Sequence, residues 1–106
     1  MISFEDIISH ISYIDYKKAN DKAIKQVTND SRKVNEGTIF VAIKGSLSDG
    51  HDYIASAIEK GSSLIIHTAD IKREEGISYI KVTDPRKTLA QISISSTIFH
   101  QRKWTL

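Results

Sequence analysis

Cysteine is absent from this sequence, which excludes disulfide frameworks, thiolate nucleophiles and cysteine-based zinc sites outright. An excess of one charge sign is missing too. Fifteen Lys and Arg stand against thirteen Asp and Glu, and the net charge of +2 is too small to make a general nucleic-acid or membrane-surface binder by electrostatics alone. No apolar run approaches the roughly 20 residues needed to cross a bilayer. The first six residues, Met1-Ile2-Ser3-Phe4-Glu5-Asp6, place acids where a secretory leader needs bases. No internal repeat or low-complexity tract occurs. The expectation is therefore a soluble, cytoplasmic chain with neither nucleic acid nor membrane among its partners. What is present is a globular mixture, 40% apolar and 26% charged, in 106 residues. That length suits one compact domain burying roughly 65% of its unfolded surface.

Hydrophobic spacing supplies the elements. Phe4, Ile7, Ile8, Ile11 and Ile14 form one stripe of an amphipathic helix over 3–14, with Ser3 and Asp6 spaced as a capping box. The polar stretch Tyr16 to Lys22 reads as a connection. Ala23, Ile24 and Val27 suggest a short strand ended by Asn29-Asp30-Ser31, side chains that compete for backbone hydrogen bonds in turns. Thr38 to Ile43 is almost continuously apolar, as expected of a strand buried on both faces. A second helix is expected from about Asp52 to Lys60, with Tyr53, Ile54, Ala57 and Ile58 inward and Gly61 as its left-handed cap. Ser63–His67 and Ile77–Val82 read as further strands around a charged loop, the faces of the latter being ambiguous. Asp84-Pro85, the only proline, opens a third helix with Leu89, Ile92, Ser96 and Phe99 on its buried stripe. This order predicts an α/β fold: a small, mostly parallel sheet of four to five strands flanked by helices. The apolar ending Trp104-Thr105-Leu106 suggests a cut at a domain boundary.

In such a sheet, ligands bind beyond the carboxyl ends of the strands. Two hydroxyl-bearing loops leave those ends, Asn29 to Arg32 and Lys44 to His51. The second carries Gly45-x-x-x-x-Gly50, the glycine spacing of a triphosphate loop, but His51 and Asp52 stand where Lys and Ser or Thr are required. Asp49 adds further negative charge, so a triphosphate is disfavoured. Backbone amides with Ser46 and Ser48 could still hold one or two phosphates, a sugar or a base. An ordinary connection with serines facing water explains the same residues. Asp30 and Arg32 equally read as a turn held by its own ion pair, and His51 as a helix-start hydrogen-bonding residue. His10, His67 and His100 are scattered, and no metal cluster is apparent.

The joint pattern is more specific than its parts. Asp30-Ser31-Arg32, then Gly37-Thr-Ile-Phe40-Val41-Ala42, Gly45, and Asp49-Gly50-His51-Asp52-Tyr53-Ile54, with Ala57-Ile58 and Gly61 following, resembles the N-terminal domain of the Mur ligases. These are ATP-dependent enzymes that extend the peptide on UDP-N-acetylmuramic acid during peptidoglycan synthesis. Asp84-Pro85-Arg86 with Leu89-Ala90 is most similar to the MurE branch, which adds a diamino acid as the third residue. The resemblance covers about residues 24 to 100.

That resemblance implies a division of labour. The N-terminal domain holds the UDP end of the substrate, a central domain binds ATP and magnesium, and a C-terminal domain brings the amino acid. By motif position, Asn29 and Ser31 would contact the UDP portion, and Ser46, Leu47 and Ser48 would line the loop around it. Asp30 and Arg32 would shape the first turn, with Gly45, Asp49 and His51 supporting the second loop. Asn29 departs from the family, where an aliphatic residue or threonine is commoner. The Gly-Thr-Asn-Gly-Lys-Thr phosphate loop is absent, and with it the magnesium site, the carbamylated lysine and the amino-acid pocket. The expected domain is thus a single substrate-binding unit, cut before an ATP-binding domain, with no catalytic residue and no cofactor of its own. A MurF-type ligase, which adds the terminal dipeptide, and a stand-alone nucleotide-sugar or protein-binding module are the alternatives.

Overall fold

The computed structural model describes residues 4–19, 24–44 and 49–93. Its elements are α1 (Phe4–His10), β1 (Asp15–Lys17), β2 (Gln26–Thr28), β3 (Thr38–Val41), α2 (Ile54–Glu59), β4 (Leu64–His67), β5 (Ser78–Lys81) and α3 (Pro85–Ser93). The five strands form one sheet in the order β1-β5-β4-β3-β2. β2 through β5 run parallel, with Val27 opposite Ile39, Phe40 opposite Ile65, and Ile65 opposite Tyr79. Only β1 is antiparallel, laying Tyr16 against Ile80. The expected mostly parallel α/β sheet is the observed one.

All four residues of β3 and all four of β4 are buried, because each central strand is covered on both sides. Alternate side chains feed two cores. Ile39, Val41, Leu64, Ile66, Ile80 and Val82 pack with Phe4 and Ile7 of α1 and Ile92 of α3. Phe40, Ala42, Ile65 and Tyr79 pack with Ile54 and Ala57 of α2 on the opposite face. The ambiguity of the last strand is resolved by that division: Tyr79 serves the α2 core, Ile80 and Val82 the other. Each fully buried aliphatic side chain is worth roughly 1.5–3 kcal/mol of transfer free energy.

Both predicted caps of the later helices are present. Asp84 Oδ1 accepts the Lys87 amide at 3.1 Å, and Pro85 occupies the first position of α3. At the end of α2, Gly61 takes φ = 113° while its amide donates to Ile58 O (3.1 Å) and that of Ser62 to Ala57 O (3.0 Å). That is a Schellman closure. A Cβ on Gly61 would also lie 2.8 Å from Glu36 Cα, so the glycine serves the packing as well as the turn.

Several expectations are corrected. The first helix ends at His10 rather than Ile14, and Ile14 is 55% exposed, because the chain turns outward and donates the Ile14 amide to Lys81 O. The expected connection at Tyr16 begins inside β1. Its exposed side chains carry no apolar signature, and main-chain pairing to the open edge of β5 makes it a strand. The second helix starts with a 3-10 turn over Gly50–Tyr53, which turns Tyr53 outward rather than into the core. Ser3, Ser96, Phe99 and the segment 100–106 lie outside the described residues, as do their predicted roles.

Candidate functional site

Because β2, β3 and β4 are parallel neighbours, the segments that follow them emerge on one rim of the sheet. Asn29 to Arg32 follow β2, Lys44 and Asp49 bound the loop after β3, and Thr68 to Asp70 follow β4.

The first bend is closed by its own side chains. The Asp30 amide donates to Thr28 Oγ1 at 3.1 Å, and Asp30 then caps a 3-10 turn over Ser31–Lys33 by accepting the Arg32 amide at 2.9 Å. The Arg32 guanidinium returns a two-pronged pair, Nε to Oδ1 at 3.1 Å and Nη2 to Oδ2 at 3.0 Å. These Arg32 side-chain bonds, followed by its amide, hold the Asp30 carboxyl down at about 2. The ion pair is spent within the turn. Asn29 is exposed and Ser31 half-buried, and no hydrogen bond engages either side chain among the described residues. Lys60, at the end of α2, donates its ammonium to Ser31 O at 3.1 Å and ties the bend to the helix behind it.

The second bend has the same plan with different chemistry. Lys44 and Asp49 pair as an isolated antiparallel bridge, and the Gly50 amide donates to Ile43 O at 2.8 Å. Any Cβ on Gly50 would sit 2.5 Å from Ile43 N and 2.8 Å from Ile43 O, so only glycine fits there. Asp49 caps the following 3-10 turn, accepting the His51 amide at 3.0 Å and meeting His51 Nδ1 at 2.6 Å. The His51 amide, then its ring, draws the Asp49 carboxyl below the ordinary carboxylate range. The far nitrogen of His51 lies 3.1 Å from the Thr68 amide and 3.3 Å from that of Ala69. Gly45, Ser46, Leu47 and Ser48 lie outside the described residues; the bridge fixes where their loop leaves and returns.

The structure therefore brings Asn29, Asp30, Ser31 and Arg32 to the same rim as Asp49 and His51. It adds groups that the sequence reading passed over, namely the Thr68 and Ala69 amides and the Lys60 ammonium. No spacing pattern marks them, although the strand order alone puts the end of β4 beside that of β3. His51 also borders a cavity of about 440 Å³ between α2 and the segment before β5, floored by Ile54, Ile58, Ile71, Ile77 and Tyr79. Asn29 and Ser31 are not part of it. Among the described residues there is no His, Asp and Glu grouping able to hold a metal ion, and no helix is long and apolar enough to cross a membrane.

The sequence model of the Mur ligase family, catalytic domain, matches residues 23–97. The chain belongs to the Mur ligase family. It is 44% identical over 92 residues to the UDP-N-acetylmuramoyl-L-alanyl-D-glutamate--2,6-diaminopimelate ligase of Clostridioides difficile (strain 630), covering 87% of this chain and 19% of that one. The ligase of the same name from Fusobacterium nucleatum is 37% identical over 99 residues, covering 92% and 20%. Among solved structures, the UDP-N-acetylmuramoylalanyl-D-glutamyl-2,6-diaminopimelate--D-alanyl-D-alanyl ligase of Acinetobacter baumannii aligns with a TM-score of 0.61 at 29% identity, covering 73% of this chain and 17% of that one. MurF from Thermotoga maritima, solved in complex with ADP, aligns at 0.56 and 33%, covering 63% and 15%. This chain is thus homologous to MurE ligases, shares its fold with MurF, and spans about a fifth of the length of the curated relatives it matches.

Proposed function

We propose that this chain is the substrate-holding N-terminal part of a MurE-type ligase, binding UDP-N-acetylmuramoyl-L-alanyl-D-glutamate for addition of a diamino acid in the cytoplasm. The observation that carries this reading is the 44% identity to a ligase named for that substrate, across nearly the whole chain. The rim geometry supports it. Uridine diphosphate calls for neutral donors and main-chain amides, and Asn29 and Ser31 offer uncommitted polar side chains beside the loop that carries Ser46, Leu47 and Ser48. Asp30 and Arg32 hold the first bend, and Asp49 with His51 the second, with Gly45 as a further supporting residue of the second loop.

ATP and magnesium belong to the proposed whole enzyme, not to these residues. The Lys and Ser or Thr of a triphosphate loop are replaced by His51 and Asp52, and the described residues offer no magnesium-binding group of acids. The partners are thus the UDP-muramoyl peptide and the central and C-terminal domains of the same ligase, and this chain contributes no catalytic residue.

The test is a titration of the 106-residue chain with UDP-N-acetylmuramoyl-L-alanyl-D-glutamate, followed through backbone amide NMR shifts. Weak but saturable changes at Asn29, Ser31 and residues 46–48 are expected, since a partial site lacks the contacts of its neighbours. Silence at all of them up to millimolar ligand would reject the reading. The MurF neighbours favour one alternative, in which the tripeptide form of the ligand binds in preference to the dipeptide form.

A further inference from the structure

The two bends differ in what lies beyond them, and that difference assigns a role to one histidine. Amide N–H groups can only donate, so the Thr68 and Ala69 amides at 3.1 and 3.3 Å require an unprotonated Nε2 on His51. The ring proton then resides on Nδ1, where Asp49 Oδ1 receives it at 2.6 Å. The two contacts select the same tautomer from opposite sides of the ring.

The end of β4 is itself held in shape to present those amides. His67, fully buried, reaches forward through Nδ1 to Ala69 O at 2.8 Å and packs edge-on to Tyr79, ring centroids 5.9 Å apart. A carbonyl only accepts, so this imidazole also carries its proton on Nδ1. Its Nε2 remains buried without a partner among the described residues, a desolvation cost borne by the packing. The result is a continuous chain, Asp49 to His51 to the 68–69 main chain to His67, joining two adjacent strand ends.

We infer that His51 is the positioning residue of this rim: locked as the Nδ1–H tautomer, it pins the Asp49–His51 turn onto the end of β4 and so fixes where Asp49 stands beside a ligand on this rim. The part of this concerning ligand rests on the function proposed above; the docking of the turn does not. His51 acts through its neighbours, Asp49 on one side of the ring and the Thr68 and Ala69 amides on the other.

Three measurements on the 106-residue chain decide it. Nitrogen-15 spectra of the imidazoles at neutral pH should show His51 as a single Nδ1–H tautomer; a predominant Nε2–H form, or a mixture, overturns the inference. In His51→Ala, amide exchange at Asp49, Gly50, Thr68 and Ala69 should accelerate about tenfold, the scale of one lost hydrogen bond, with Leu64 to Ile66 unchanged. His51→Gln, which keeps an oxygen acceptor near the position of Nε2, should restore most of that protection, and equal loss in both variants overturns the inference. Affinity for UDP-N-acetylmuramoyl-L-alanyl-D-glutamate should fall about tenfold in His51→Ala and recover in His51→Gln. Unchanged affinity in His51→Ala overturns the link to ligand. A wild-type chain that binds no ligand defeats the preceding proposal, and the tautomer and exchange results then decide the place of His51 alone.

Discussion

Asp30-Ser31-Arg32 and Asp49-Gly50-His51 are two versions of one device. In each, an aspartate caps a 3-10 turn, accepts the amide two residues on, and pairs with that residue's basic side chain. They part at the basic residue. The Arg32 side chain is 85% exposed and its hydrogen-bond partner among the described residues is Asp30 alone, whereas that of His51 is 9% exposed and reaches a third segment. The first bend is held mainly by its own side chains, with Lys60 tying it to α2. The second is a joint. A local turn can be built from three residues and survive most changes around it, but a joint depends on the strand order that brings Thr68 within reach.

The largest break in that comparison should come from Gly50→Ala. A Cβ driven against the main chain of Ile43 is expected to cost about 3 kcal/mol, seen as a lower urea midpoint, because backbone cannot move aside as a side chain can. Ser31→Ala, the equivalent middle position of the first bend, should leave the midpoint nearly unchanged; equal losses would mean that the bends are not built differently. Asp49→Ala should lower the urea midpoint more than Asp30→Ala, since both remove a cap but only the former leaves the His51 ring without its anchor.

Acid separates the layers further. Burial holds the His67 imidazole below its ordinary value near 6.5. The unfolded chain therefore takes up that proton first, so the contribution is complete above about pH 6.5 and declines as pH falls towards the folded value. Urea midpoints measured from pH 7.5 downward should show this slope, and His67→Phe should reduce it. Asp30, held at about 2, gives a contribution in place above 3.8 and lost between there and about 2. A carboxyl NMR titration should find its midpoint near the lower value. The smallest effect is expected from Lys60→Ala. Losing one exposed ammonium contact to Ser31 O should shift stability by less than about 0.5 kcal/mol, and a larger loss would show that the first bend also depends on its surroundings.

Much of this was legible in one dimension. Thr38 to Ile43 and Leu64 to Ile66 announce buried parallel strands by their unbroken apolar character, and Asp84-Pro85 and Gly61 mark helix ends by chemistry that acts within a few residues. The edge strand over Asp15–Lys17 was not legible, because its contribution is main-chain pairing and its side chains face water. Tyr53 departs from the helical stripe because it sits in a tighter 3-10 turn, which shifts the angle between successive side chains.

For the candidate site, local order again made the difference. Asp30 beside Arg32, and Asp49 beside His51, are pairs two residues apart, and their turns are written into the chain by side chains that cap their own backbone. The partners of His51 were invisible for the opposite reason. Thr68 and Ala69 stand seventeen and eighteen residues away and contribute only amides, which every non-proline residue possesses. Sequence alone determined the family pattern, the layered α/β class and the turns that close on themselves. Tertiary structure decided which strand ends share a rim and which proton a histidine keeps, because hydrogen bonds between distant segments depend on strand order and not on spacing.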